Sequence, residues 1–223
     1  MDTRLSGLRL RWLAALFSGV VLSGCASAPM ALDSEQSAVP LADESVVLLR
    51  LDTANEFKPA YQPRVLGLHV VDRDSGQVLD FNLADQRKGN LAGGFEYWVS
   101  MRLPAGRYEI ATATGISTGY NIMANFEIPL HQRLDVPKGK VIYLGRFEAV
   151  NVARTVADQI PAGGKLPLIP QTVAGYADGT FEVSFSERFN TDMSLFQARY
   201  PVLAQVQAVA WNHGWVQEAA VGF

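Results

Sequence analysis

The chain has 223 residues, is 48% hydrophobic and 18% charged, and carries a formal net charge of −3. A mildly acidic chain lacks the basic surplus that holds nucleic acid or anionic lipid headgroups by charge. Its single cysteine, Cys25, permits no internal disulfide and no cysteine-based metal site, so the fold must be held by its core.

Arg4, Arg9 and Arg11 stand against Asp2, and an uncharged run follows from Trp12 to Leu22. A basic start, a short apolar stretch and small residues after it predict a secretory signal peptide over residues 1–24. The run is too short for the roughly 20 apolar residues of a membrane-spanning helix. The run Leu22-Ser23-Gly24-Cys25 resembles the lipobox of bacterial lipoproteins. The resemblance implies cleavage before Cys25 and acylation of that cysteine and of the new N-terminus. Each buried CH₂ contributes about 0.8 kcal/mol, and two or more chains make a stable anchor. Ala26 and Ser27 follow where an aspartate would signal inner-membrane retention, so the resemblance implies an outer-membrane lipoprotein facing the periplasm. Loss of residues 1–24 removes three arginines and one aspartate and takes the net charge from −3 to −5.

Residues 25–44 show no period and are rich in Ala, Ser and Pro, which predicts a flexible tether behind the lipidated cysteine. A domain of strands is expected over 45–190. Val46–Leu51 alternates, with Val47, Leu49 and Leu51 on one face. Arg64–Asp72 places Leu66, Leu68 and Val70 inward, Asp74-Ser75-Gly76 turns, and Gln77–Leu83 returns, which together signal a hairpin. Phe95–Leu103 alternates without a break and leaves Trp98 on the face opposite the core, among Glu96, Ser100 and Arg102. Pro104–Gly106 turns into Arg107–Thr114, with Tyr108 and Ile110 inward. Asn125–Leu130 is a further strand, which Pro129 marks as an edge or an end. After the turn at Pro137-Lys138-Gly139, Lys140–Asn151 is a long strand whose run Val141–Leu144 predicts cover on both faces. The connection from Arg154 to Gly179 is long for a structureless loop, which predicts a functional or mobile segment. Thr180–Phe185 is the last clear strand, with Phe181, Val183 and Phe185 on one face.

Residues 191–223 change character. Thr191 and Asp192 suit a helix start, Leu195, Phe196 and Arg199 fall at helical spacing, and Pro201 breaks or kinks the run. Leu203, Val206, Val209 and Ala210 continue one side, so a short helical tail packed on the strands is expected. Seven to eight short strands without a βαβ rhythm predict a mainly β fold, an antiparallel β-sandwich or barrel. "VVDRDSGQVLDFNL" and "MRLPAGRYEI" resemble strand–turn–strand phrases of immunoglobulin-like and transthyretin-like modules, which implies such a sandwich and says little about activity.

Gly115-Ile116-Ser117-Thr118-Gly119 is a formal G-x-S-x-G, and Ser117 would be the nucleophile of a serine hydrolase. That elbow needs a strand-to-helix turn, whereas loop and strand follow here, so a turn is the better expectation. His69, His131 and His213 are far apart and form no metal-ligating spacing, and Asp72 and Asp74 read as turn-capping acids. No phosphate-cradling or cofactor motif occurs. Trp211 and Trp215 share a face of the tail, with packing the simpler role. Trp98 is covered by a loop or the tail, or else serves as a binding or glycan-stacking site. The expected function is a non-enzymatic, lipid-anchored accessory or binding module for an envelope protein complex. The alternative is a carbohydrate-binding module for peptidoglycan or polysaccharide.

Overall fold

The computed structural model describes residues 27–83, 86–89, 91, 93–119, 121–164 and 169–211. The expected signal peptide, Cys25, His213 and Trp215 lie outside them.

Ten strands are described: β1 (Glu44–Asn55), β2 (Arg64–Asp72), β3 (Val78–Asn82), β4 (Gln86–Lys88), β5 (Phe95–Pro104), β6 (Gly106–Gly119), β7 (Ile122–Val136), β8 (Val141–Ala153), β9 (Gly179–Ser186) and β10 (Ala208–Ala210). Helices α1 (Ile169–Val173) and α2 (Phe189–Arg199) and a 3₁₀ turn, Pro201–Gln205, complete the elements. One sheet has the order β3-β2-β6-β7, and the other runs β10-β8-β1-β5-β4 with β9 also on β8. The architecture is mainly β in two sheets, consistent with a β-sandwich. A single apolar cluster draws Val47, Leu49 and Met101 from the larger sheet and Leu68, Ile110 and Ile128 from the smaller. Each such side chain contributes about 1.5–3 kcal/mol on burial.

The larger sheet is mixed, which departs from the antiparallel expectation. β1 pairs with β8 in parallel and β5 in antiparallel. β1 is also covered on both faces. Val47, Leu49 and Leu51 meet the inter-sheet core, while Val46 and Leu48 meet a second cluster with Met193, Phe196 and Leu203. Near-continuous apolar runs are what a doubly covered strand demands. The same cover falls on Val141–Leu144, as expected.

Bulges explain two further departures. Leu66 is 40% exposed, because the β2–β6 register shifts between Val65 and Gly67 and turns Val65 inward in its place. β7 is an edge strand but does not end at Leu130. A register shift opposite Ile110/Thr112 lets it pass Pro129, with His131 at positive φ, and it continues to Val136. In β8 the register shifts at Leu144, and Gly145 takes φ +147° where an added Cβ would meet the Phe185 ring.

In the described part of the tail, which ends at Trp211, helical structure stops at Gln205. Pro201 opens the 3₁₀ turn, Val206 is extended, and Ala208–Ala210 pairs in parallel with Val141–Tyr143. β9 pairs only with Arg146–Ala153, so the first half of β8 has an open edge that β10 fills. Backbone satisfaction here prevails over helical spacing, and Val209 is left 39% exposed.

The described part of the expected tether, from Ser27 to Asp43, is docked. Ala28 bridges β3, donating to Asp80 O at 2.6 Å and accepting from Asn82 N at 3.0 Å. Ala31 N donates to Ser100 O at 2.6 Å and Leu32 N to Ser100 Oγ at 3.0 Å. β4 pairs only with the Phe95–Tyr97 part of β5, so this strap occupies backbone groups of β5 beyond it. Val39 and Leu41 then pack on the outer cluster.

The described parts of the connection after β8 are likewise pinned. Ala162 O accepts from Glu127 N at 2.9 Å, and Tyr176, fully buried, stacks on Phe126 and donates to Tyr61 O at 2.8 Å. Asn55 and Asn151 tie both ends of this loop cluster, with Asn151 Nδ2 donating to Asn55 Oδ1 at 3.0 Å.

Candidate functional site: the Trp98 cleft and its buried charges

α2 lies over the outer face of the larger sheet because Met193 and Phe196 complete the cluster with Val46, Leu48 and Tyr143. Asp192, in its first turn, comes down fully buried onto the sheet. Arg146 on β8 grips it with Nε at 3.2 Å and with a second contact from Nη2. Tyr143 OH donates to it at 2.6 Å. Arg50 Nη1 lies 3.5 Å away.

The Arg50 side chain is 2% exposed, and its Nη2 reaches Asp52 at 3.2 Å and Glu96 at 2.7 Å. Three carboxylates thus share two guanidiniums and a phenol under one helix. Burial raises the Asp52 carboxyl above its ordinary range by more than Arg50 and Arg146 lower it, and Glu96 adds to the rise. Burial, then the hydrogen bond to Asp192, push the Tyr143 phenol up.

Trp98 is half-buried beside this cluster. Phe196 meets its ring edge to face at 4.8 Å, so the expected cover comes from α2. Arg50 sits over the indole at 4.5 Å, and Trp98 Nε1 donates to Glu96 Oε1 at 3.3 Å. The indole therefore forms a wall, with a ring face already taken by a guanidinium. A cleft of about 750 Å³ opens there, between Met30–Ser34 of the strap and Leu195–Tyr200 of α2 and its end. Its size is that of a small-ligand or peptide side-chain site. Glu96, Arg50 and Trp98 lie along it.

The other sequence candidates are elsewhere. Ser117 is fully buried near the C-terminal end of β6 opposite Ala124, and the G-x-S-x-G segment runs as strand into a tight β6–β7 connection with no strand-to-helix turn. His69 spans its cross-strand neighbours, with Nδ1 on Asp80 and Nε2 3.0 Å from Thr114 Oγ1. His131 Nδ1 lies 3.0 Å from Glu109. Among the described residues no three His, Cys, Asp or Glu side chains converge to hold a metal ion. Asp72 caps its turn through the N–H groups of Asp74 and Ser75, which holds its carboxyl low. Trp211 packs on the inter-sheet core.

Sequence reasoning missed Arg50, Asp52, Arg146 and Asp192 as a group. The signal was a charge inside "VVLLRLD", a run too apolar to face water on either side. No family model matches the chain, and no curated protein or solved structure matches it either.

Proposed function

We propose that this chain is a lipid-anchored lipoprotein of the bacterial outer membrane. In this reading its domain, a sandwich of the immunoglobulin-like or transthyretin-like kind, is a periplasmic binding module serving an envelope protein complex. The cleft beside Trp98 is the observation that carries the binding role. It is an open concavity with aromatic walls and a charged floor, set on the outer face of the larger sheet. Interfaces draw their energy from such aromatic and arginine anchors. The lipobox-like run at Cys25 carries the anchor and the address. Protein is favoured over glycan as the ligand because Arg50 takes an indole face on which a sugar ring would stack.

The test is photo-crosslinking in cells with a reactive residue in place of Leu195, which is 44% exposed at the cleft rim. Mass spectrometry then identifies the product and the mature N-terminus. One dominant protein product and an acylated Cys25 support the proposal. A glycan product would overturn the choice of ligand, and an unmodified Cys25 would overturn the anchor.

A further inference from the structure

Resting on the binding-module reading, we propose that the Trp98 cleft takes a segment of a partner protein that presents a lysine or arginine side chain to Glu96. Charge is the first argument. Around the cleft and its floor stand the carboxylates of Asp33, Asp52, Glu96 and Asp192 against the guanidiniums of Arg50, Arg146 and Arg199. One negative charge is left over. Arg199 is turned toward Tyr200, donating from Nε to its hydroxyl at 3.0 Å, and Arg146 is gripped by Asp192. Of the floor carboxylates, Glu96 is the one that reaches solvent, with its side chain 16% exposed against 2% and 0% for Asp52 and Asp192. A cation entering the cleft meets it there.

The cation is an organic one. No three ligating side chains converge for a metal among the described residues, and aromatic walls favour ammonium or guanidinium groups. The apolar lining supplies the second argument. Met30 and Leu32 of the strap and Leu195 of α2 line the cleft together with Glu96. A peptide brings a group for each, a basic side chain that adds to the Arg50 and Trp98 contacts Glu96 already has, and apolar neighbours for the walls. Leu195, exposed at the rim, meets an apolar neighbour in the same segment.

The experiment titrates the full chain in detergent micelles with two end-capped tripeptides, Leu-Arg-Leu and Leu-Glu-Leu. The readout is the indole N–H resonance of Trp98, assigned with W98F. We expect Leu-Arg-Leu to shift that resonance saturably, with affinity falling as salt rises, and Leu-Glu-Leu to leave it in place. E96Q weakens the arginine peptide by at least about tenfold, the loss of one charge-assisted hydrogen bond. D33N, at the exposed rim, weakens it by a smaller factor and covers the case in which E96Q fails to fold. Equal response to both peptides, response to neither, or undiminished binding by a folded E96Q would each overturn the proposal. Failure here remains separable from failure of the binding-module reading. A Leu195 crosslink to an acidic or neutral partner segment keeps the module and removes the charge preference.

Discussion

Asp192 is the residue on which the ionic floor turns, and its loss gives the largest effect we predict. In D192A the guanidinium of Arg146 loses both its contacts to the carboxylate, Tyr143 loses its acceptor, and Arg50 loses one neighbour. Charge-assisted hydrogen bonds contribute about 1.5–3 kcal/mol each, and removing one partner of a buried ion pair costs about 3–5 kcal/mol because the other charge stays behind. We take about 3–5 kcal/mol for D192A. In a domain of this size that lowers the melting temperature by roughly 6–20 °C. Urea unfolding measures it, with an unchanged slope showing that the native and unfolded states keep their compactness. The control is the exposed pair Arg102–Glu44 at 2.9 Å, where R102A costs no more than about 1 kcal/mol. If D192A cost no more than that control, the floor would be behaving as a solvated surface pair, and the reasoning built on its burial would fall.

Asp52 gives a signed pH dependence. Its folded carboxyl is raised above the ordinary value of 3.8, so its contribution is fully present below that pH and is lost as pH rises through the folded value. The stability of the wild type relative to D52N should therefore fall on going up from pH 3.8 and then level off; a relative gain with pH would refute this. At the strap, A31P removes the donor to Ser100 O, and we predict at least about fivefold faster limited proteolysis between Asp33 and Asp43. Unchanged cleavage would mean the strap is held elsewhere. G145A forces a Cβ toward the Phe185 ring at a φ that disfavours side chains, at a cost of about 1–3 kcal/mol by thermal melt, whereas a neutral change would deny the bulge its role.

Most strands were legible because alternation reports one buried face. Tyr97, Val99, Met101 and Leu103 read correctly from period alone, as did the turn at Gly76, whose φ is +74°. What period two cannot carry is a residue inserted into the ladder, so Leu66 reads inward and the strand through Pro129, correctly marked as an edge or an end, reads as far as Leu130 only. It also cannot say which strands are neighbours. The parallel β1–β8 pair joins residues about a hundred positions apart, and the two-faced cover of β1 follows from that pairing and from α2. Ala208–Ala210 shows a weak local preference decided by an open edge elsewhere. Of the candidate site, Trp98 and its α2 cover were readable. The floor was not, because Arg50, Glu96, Arg146 and Asp192 come from four separate elements and no spacing links them.

The docked strap has a mechanical consequence for the anchored form we propose. Only two residue steps separate Cys25 from Ser27, about 7 Å of chain at full extension, and Ser27 Oγ already accepts from Asn82 Nδ2 at 2.6 Å. A loose tether of residues 25–44 would let the domain sweep a hemisphere some tens of ångströms in radius. In that form the leash left by the strap would be shorter than the width of one sheet layer, so the domain would drift with its lipids and turn about a nearly fixed pivot. Its cleft, one of whose walls is the strap itself, would be held near the bilayer. Partners embedded in or lying on the same membrane would then meet it at high effective concentration, while soluble ones further out would not.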